Sequence, residues 1–78
     1  MTSTLTAAEA TAIVERFGFQ AREVPKGFFL APVTKNSFGH RHLGDDQMLV
    51  SRDGVIVPYA DDAQAFLAAK ALAAALAA

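Results

Sequence analysis

The sequence predicts an α+β fold, an antiparallel four-stranded sheet of two hairpins with an N-terminal and a C-terminal helix packed on one face. Three observations predict it. Capping boxes open amphipathic segments near both ends, and the middle is rich in aromatic and β-branched residues. Two turn signals, Pro25-Lys26-Gly27 and Asp53-Gly54, cut that middle into paired strands. With 78 residues the chain reads as one small domain, 1–78. At that size roughly 60% of the unfolded surface can be buried.

Thr6-Ala7-Ala8-Glu9 is the first capping box, and a helix from about Ala7 to Phe17 follows. At 100° per residue Ala10, Ile13, Val14 and Phe17 share one stripe, while Glu9, Thr11, Glu15 and Arg16 fall outside it. Gly18 ends the helix as a left-handed cap. Phe19–Val24 and Phe28–Val33 read as strands joined by a tight turn at Pro25-Lys26-Gly27. Gln47–Ser51 and Val55–Tyr59 form the second hairpin around a two-residue Asp53-Gly54 loop, and Pro58 marks an edge position or strand end. Between the hairpins, 34–46 reads as a long connection, and long ordered loops in compact domains are often functional. Asp61, with Gln64 completing a second capping box and Asp62 complementing the dipole, opens a helix from about Asp62 to Ala77. Its stripe is Ala65, Phe66, Ala69, Leu72, Ala73 and Leu76. Gln64, Leu67, Ala68, Ala71, Ala74, Ala75 and Ala78 lie on the far side, with Lys70 at the edge.

Alanine supplies 17 of the apolar residues and buries little area, so the core must come from larger side chains. The candidates are Phe17, Phe19, Phe29, Leu30, Leu49, Ile56, Phe66, Leu72 and Leu76. The chain has no cysteine, which excludes disulfides, thiolate nucleophiles and cysteine-ligated zinc, and is read most simply as a cytosolic setting. Met1-Thr2-Ser3-Thr4-Leu5 carries no basic segment followed by an apolar run, so no secretory signal is expected. The apolar stretch Ala63–Ala78 is too short to span a bilayer and contains Lys70, since a spanning helix needs about 20 apolar residues.

Charge is sorted along the chain. From Arg16 to His42 the charged residues are Arg16, Arg22, Glu23, Lys26, Lys35 and Arg41, a balance of +4. From Leu43 to Asp62 they are Asp45, Asp46, Arg52, Asp53, Asp61 and Asp62, a balance of −4. Opposed blocks orient charged partners in a way a uniform surface does not, which points to binding. Catalysis finds no support: Ser37 and Ser51 lack a glycine-flanked elbow, and Gly39 and Gly44 lack the lysine and helix start of a phosphate loop. No catalytic residue, cofactor or metal is expected. Lys35, Phe38, His40 and Arg41 combine cations with an aromatic that can stack on a base, and Lys26 and Arg52 at the hairpin tips extend that footprint. The net charge of −1 argues against direct nucleic-acid binding, which draws on an excess of Lys and Arg. Asp53 and Asp61 have local turn and cap roles, whereas Asp45 and Asp46 have none. A carboxylate pair on a loop suits the cations of a partner's nucleic-acid groove, with Asp62 a third contact. The uncharged far side of the last helix favours self-association as a homodimer.

In its small size, its lack of cysteine or cofactor signature, and its acidic Gly44-Asp45-Asp46 and Asp61-Asp62 set beside a basic loop from Lys35 to Arg41, the chain resembles phage and mobile-element anti-CRISPR proteins that act on type I effector complexes. The resemblance implies a non-catalytic inhibitor, working in a host cytosol if phage-encoded. It would dock on the crRNA-guided surveillance complex and keep target DNA from its binding surface, including where the protospacer-adjacent motif is read. The chain departs from the strongly acidic DNA mimics of that group by being nearly neutral, which favours a local plug of a basic patch over mimicry of a whole duplex. The expected partner-binding residues are Asp45, Asp46, Asp62, Lys35 and Arg41. The alternatives are a small nucleic-acid-binding module using loop 35–42, and an adaptor or oligomerisation domain.

His40-Arg41-His42 followed by Asp45 and Asp46 is the one metal-like cluster, but Arg41 sets a cation between the ligands and no third histidine completes the set. Zinc or nickel added to the protein is therefore expected to leave its melting temperature unchanged in differential scanning fluorimetry. A rise of several degrees would show a site.

Overall fold

The computed structural model describes residues 5–77. Helix α1, Ala7–Val14, continues into a 3-10 turn, Glu15–Phe17. Strands β1, Phe19–Val24, β2, Gly27–Lys35, β3, Arg41–Leu43, β4, Met48–Ser51, and β5, Ile56–Pro58, precede helix α2, Ala63–Ala77. All pairings are antiparallel. The sheet order is β1-β2-β4-β5, and β3 pairs with the far end of β2. The expected α+β architecture is present, with a fifth, short strand inside the segment expected to be a loop. Among the described residues no helix is long and apolar enough to cross a membrane.

The first cap forms as expected. The Thr6 hydroxyl accepts from Glu9 N at 3.1 Å, and Glu9 Oε1 accepts from Thr6 N at 3.0 Å. Gly18 adopts φ 86° and closes the 3-10 turn. Thr11, outside the apolar stripe of α1, reaches the edge of the sheet, where its hydroxyl donates to the Ala21 carbonyl and accepts from the Ala21 amide.

The β1–β2 turn is tighter than expected. Val24 pairs with Gly27, so Pro25-Lys26 alone make the turn and Gly27 belongs to β2. No other residue fits there: Gly27 lies in the positive-φ region, and an added Cβ would collide with the Val50 carbonyl oxygen. The second hairpin is looser. Ser51 N donates to Val55 O and Gly54 N to Ser51 O, both at close to ideal length, giving a three-residue loop, 52–54, with left-handed Gly54 (φ 89°). Pro58 lies on the edge strand β5, as expected.

The core lies between the helices and one sheet face. Phe28, Leu30, Met48, Leu72, Val14 and Val50 are its largest fully buried side chains, each contributing about 2 kcal/mol by burial. Phe19 and Leu76 join them as expected, and Phe17 and Ile56 pack partly buried at the margin. Leu30 is buried in the core as expected, and Leu49 is buried too but on the other face of the sheet, where the expected Phe29 is only partly covered. Phe28, Val50 and Met48 face the helices, whereas Phe29 and Leu49 pair on the opposite, open face beside Tyr59. Phe28-Phe29 offers an aromatic ring to either side, so β2's pattern cannot choose between faces. The closure of the turn at Gly27 chooses.

Helix α2 is rotated from its expected stripe. Ala65, Ala68, Ala69, Leu72 and Leu76 are buried, while Phe66 is 46% exposed with Lys70 over its ring, so Phe66 is not a core residue and Ala68 is. Small Cβ groups let α2 lie close to the sheet, and its buried alanines share one core cluster with Phe28 and Met48. Ala78 lies outside the described residues.

The cap of α2 also moves by one position. Asp62, not Asp61, accepts from Gln64 N at 3.0 Å and Ala65 N at 3.2 Å. In urea titrations, Asp62→Ala is therefore expected to cost about 1 kcal/mol and Asp61→Ala only a few tenths. Equal costs would contradict this assignment.

Candidate functional site

The expected loop 34–46 is an ordered hairpin followed by a bulge. Lys35 pairs with Arg41, Thr34 with His42 and Val33 with Leu43, so β2 and β3 form a two-stranded ribbon running past the start of β1. Asn36 builds its tip. Asn36 N donates to His40 O, Gly39 N donates to Asn36 O, and Asn36 Oδ1 accepts from Phe38 N at 2.9 Å and His40 N at 3.0 Å. Gly39 takes the left-handed position at φ 81°. The 51–55 turn is built the same way, with Ser51 Oγ accepting from Val55 N where Asn36 Oδ1 accepts from His40 N. Asn36-Ser37-Phe38-Gly39 and Ser51-Arg52-Asp53-Gly54 are thus one polar-x-x-Gly turn used twice. That spacing was the sequence signal for β3.

The tip holds Phe38 82% exposed, with its ring 6.4 Å from that of His40. Lys35 and Arg41 stand opposite each other behind it. Arg41 donates to Gln20 Oε1 at 3.3 Å, and neither cation has a carboxylate partner among the described residues. His42 Nε2 lies 3.5 Å from Asn36 Nδ2. The ribbon residues from Thr34 to Leu43 are all exposed and include no acid.

The bulge follows. Leu43 opposes Val33 and Met48 opposes Leu30, so the four residues 44–47 run beside only Ala31 and Pro32. Gly44 N donates to Pro32 O at 2.9 Å and Gln47 N to Leu30 O at 2.8 Å, which leaves Asp45 and Asp46 as the surplus pair. Pro32 has no amide to offer a neighbouring strand, so the ladder breaks where its donor is missing. Gly44 is needed there because an added Cβ would come within 2.7 Å of Pro32 Cγ.

The five expected contact residues have different fates. Lys35 and Arg41 are brought together on the ribbon. Asp45 is exposed and unpaired among the described residues, whereas Asp46, beside it, is bound to Arg22 at 2.5 Å across the open face. Asp62 spends its carboxylate on the α2 cap. Arg52, from the acidic block, pairs with Glu23 from the basic one, lies 4.9 Å over the Phe28 ring and donates to Leu5 O. The two blocks are thus cross-linked by two ion pairs rather than held as separate patches. Among the described residues, Lys35 and Arg41 on the ribbon, Lys26, Asp45 and Asp61 take part in no ion pair, nor do Glu15, Arg16 and Lys70 on the helical side of the chain. Both ion pairs are largely exposed, and such pairs contribute about 0–1 kcal/mol each.

A concave surface of about 340 Å³ lies on the open face, lined by Val24, Pro25, Lys26, Phe29, Leu49 and Tyr59. Nothing in it resembles a catalytic constellation. Among the described residues no three His, Asp or Glu side chains converge. Compared with known protein families, curated proteins and solved structures, the chain matches none.

One carboxyl is electrostatically distinctive. The Ser51 hydroxyl, and then its own backbone amide, hold Asp53 below the usual carboxylate range, against a smaller opposing effect of desolvation. A depressed folded-state value gives stability that is complete above the unfolded pKa and is lost as pH falls through the folded one. Urea midpoints followed from about pH 6 to pH 2 are expected to fall less steeply for Asp53→Asn than for wild type below about pH 4. Identical acid limbs would show that Asp53 does not contribute.

Proposed function

We propose that this chain is a non-enzymatic binding protein that presents the β2–β3 ribbon to a macromolecular partner. The observation that carries the proposal is Phe38, 82% exposed on an ordered tip and flanked by Lys35, His40 and Arg41, none of which forms an ion pair among the described residues. An exposed large apolar ring on a well-braced turn has a use when a partner's pocket covers it, and aromatic and Arg anchors dominate binding energy at protein interfaces. The ribbon is two strands wide, and two-stranded ribbons are marginal without further packing, which a partner would supply. Following the resemblance to type I anti-CRISPR proteins, the partner is a nucleic-acid-handling complex whose DNA-binding surface becomes blocked. Asp45 is the carboxylate left free to meet its cations, and Asp46 and Asp62 can join only by giving up Arg22 and the α2 cap.

A second reading has its own support. Phe38 with Lys35 and Arg41 is also a stacking platform beside phosphate-binding cations, which suits a short single strand. Half-exposed Phe66 and Leu67 on α2 support self-association through that helix as a separate property.

Pull-down from a host lysate with mass spectrometry, run beside gel shifts with short DNA and RNA at two salt concentrations, tests the proposal. The wild-type protein is expected to retain a protein partner that Phe38→Ala and Arg41→Glu each weaken about tenfold or more, near 1.4 kcal/mol, with Asp45→Lys weakening it as well. A salt-sensitive gel shift without a protein partner would favour the single-strand reading. Capture unaffected by Phe38→Ala would overturn the ribbon as the contact element.

A further inference from the structure

We propose that the outer edge of β3 is a strand-addition site, at which an extended, carboxylate-bearing segment of the partner pairs with the backbone of Arg41 and Leu43. The proposal rests on the ribbon reading above and specifies how the ribbon binds.

An open strand edge invites pairing with another chain, and folded proteins usually blunt it. The edge of β1 is blunted by Thr11, whose hydroxyl engages both the amide and the carbonyl of outward-facing Ala21. The edge of β5 is blunted by Pro58. Tyr59 N bonds Gln47 O and Ser51 N bonds Val55 O, so the backbones of Ile56 and Pro58 face outward, and Pro58 has no N–H. In β3, Asn36 N bonds His40 O and Gly44 N bonds Pro32 O, so the even-numbered residues face β2 and the backbones of Arg41 and Leu43 face outward. Among the described residues no hydrogen bond engages either, and no helix, proline or side-chain hydroxyl covers them.

A charged side chain is itself a blunting device, yet Arg41 is turned away from the edge, its guanidinium held by Gln20 Oε1 two strands across the sheet. Leu43, 57% exposed, stands next along the same face beyond Arg41. A strand added here would set one residue beside Arg41 and another, two positions along, beside Leu43.

Charge selects the occupant. The ribbon carries Lys35, His40, Arg41 and His42 and no acid, so a second copy pairing edge to edge would bring two cationic ribbons together. A segment alternating carboxylate and apolar residues meets Arg41 and Leu43 with matching chemistry, main-chain bonds supplying affinity and the two side chains selectivity.

Amide hydrogen exchange by NMR tests this on the whole protein. In the free protein the Arg41 and Leu43 amides are expected to exchange as unprotected groups while that of His42 is slowed. A capped hexapeptide alternating glutamate and valine, at about 1 mM, is expected to slow Arg41 and Leu43 at least about twofold, as half-saturation at that concentration requires, and the lysine–valine analogue to leave them unchanged. Leu43→Pro removes an outward N–H and an exposed side chain but no hydrogen bond of the free protein, so the protein should keep its circular dichroism and melting temperature while the peptide no longer slows Arg41. Arg41→Glu keeps the backbone donor and is expected to exchange the preference for the glutamate peptide for the lysine one. Unchanged Arg41 and Leu43 exchange with the glutamate peptide, or equal slowing in Leu43→Pro, would overturn the proposal. So would protection that rises with protein concentration alone, which would make a second copy the occupant. If a captured partner is lost with Phe38→Ala but kept by Leu43→Pro, the edge site fails while the ribbon reading survives.

Discussion

The missing amide of Pro32 is the constraint on which the arrangement of this molecule turns. β2 is its longest strand and could have carried one continuous neighbour along its second edge. Because Pro32 offers a carbonyl but no donor, that neighbour is split. β4 pairs with the first part of β2 under α2, and β3 pairs with the last part, beyond the start of β1. Gly44 accommodates the proline ring and the two surplus residues between the halves are both aspartates. One backbone defect therefore separates a packed half of the sheet from an exposed ribbon and fixes where the carboxylate pair stands.

The electrostatics follow from strand order rather than chain order. Segments of opposite charge in the sequence flank β2 on its two edges, so Arg22 meets Asp46 and Glu23 meets Arg52 across it. Separated blocks become a sheet braced by cross-strand pairs, and the unspent charge collects on the ribbon. For the proposed binding role, this puts Lys35, Phe38 and Arg41 ahead of the carboxylates and leaves Asp45 as the unpaired carboxylate of the bulge.

Much of the fold was legible because its signals are local. The Thr6–Glu9 cap, the Gly18 stop, the Gly54 turn and Pro58 at an edge each depend on a few neighbouring residues. The errors arose where the choice is made by distant contacts. Phe28 and Phe29 are equally suited to either face, and the approach of Val50 to Gly27 decides between them. Asp61 and Asp62 are both good caps, and the packing of Ala65 and Ala68 sets which one begins the helix. Phe66 fits a helical stripe by spacing, but the sheet accepts alanine there. β3 was the exception, since Asn36-Ser37-Phe38-Gly39 has the spacing of Ser51-Arg52-Asp53-Gly54, whose last two residues were read as a turn. The candidate site was legible in composition and not in pairing, because ion pairs across strands require the register.

The twin turns stand in different surroundings. Gly54 faces α2, where an added Cβ would come within 3.5 Å of the Ala73 carbonyl oxygen, and Arg52 in that turn ties down Glu23 and Leu5. A Cβ placed on Gly39 would meet nothing within 4 Å, and Phe38 beside it is 82% exposed with its ring near that of His40. The first turn is fastened to the body of the protein and the second is answerable only to its own geometry. Positions 37 and 38 can therefore be substituted at little cost to folding, so long as Asn36 and Gly39 keep the bend.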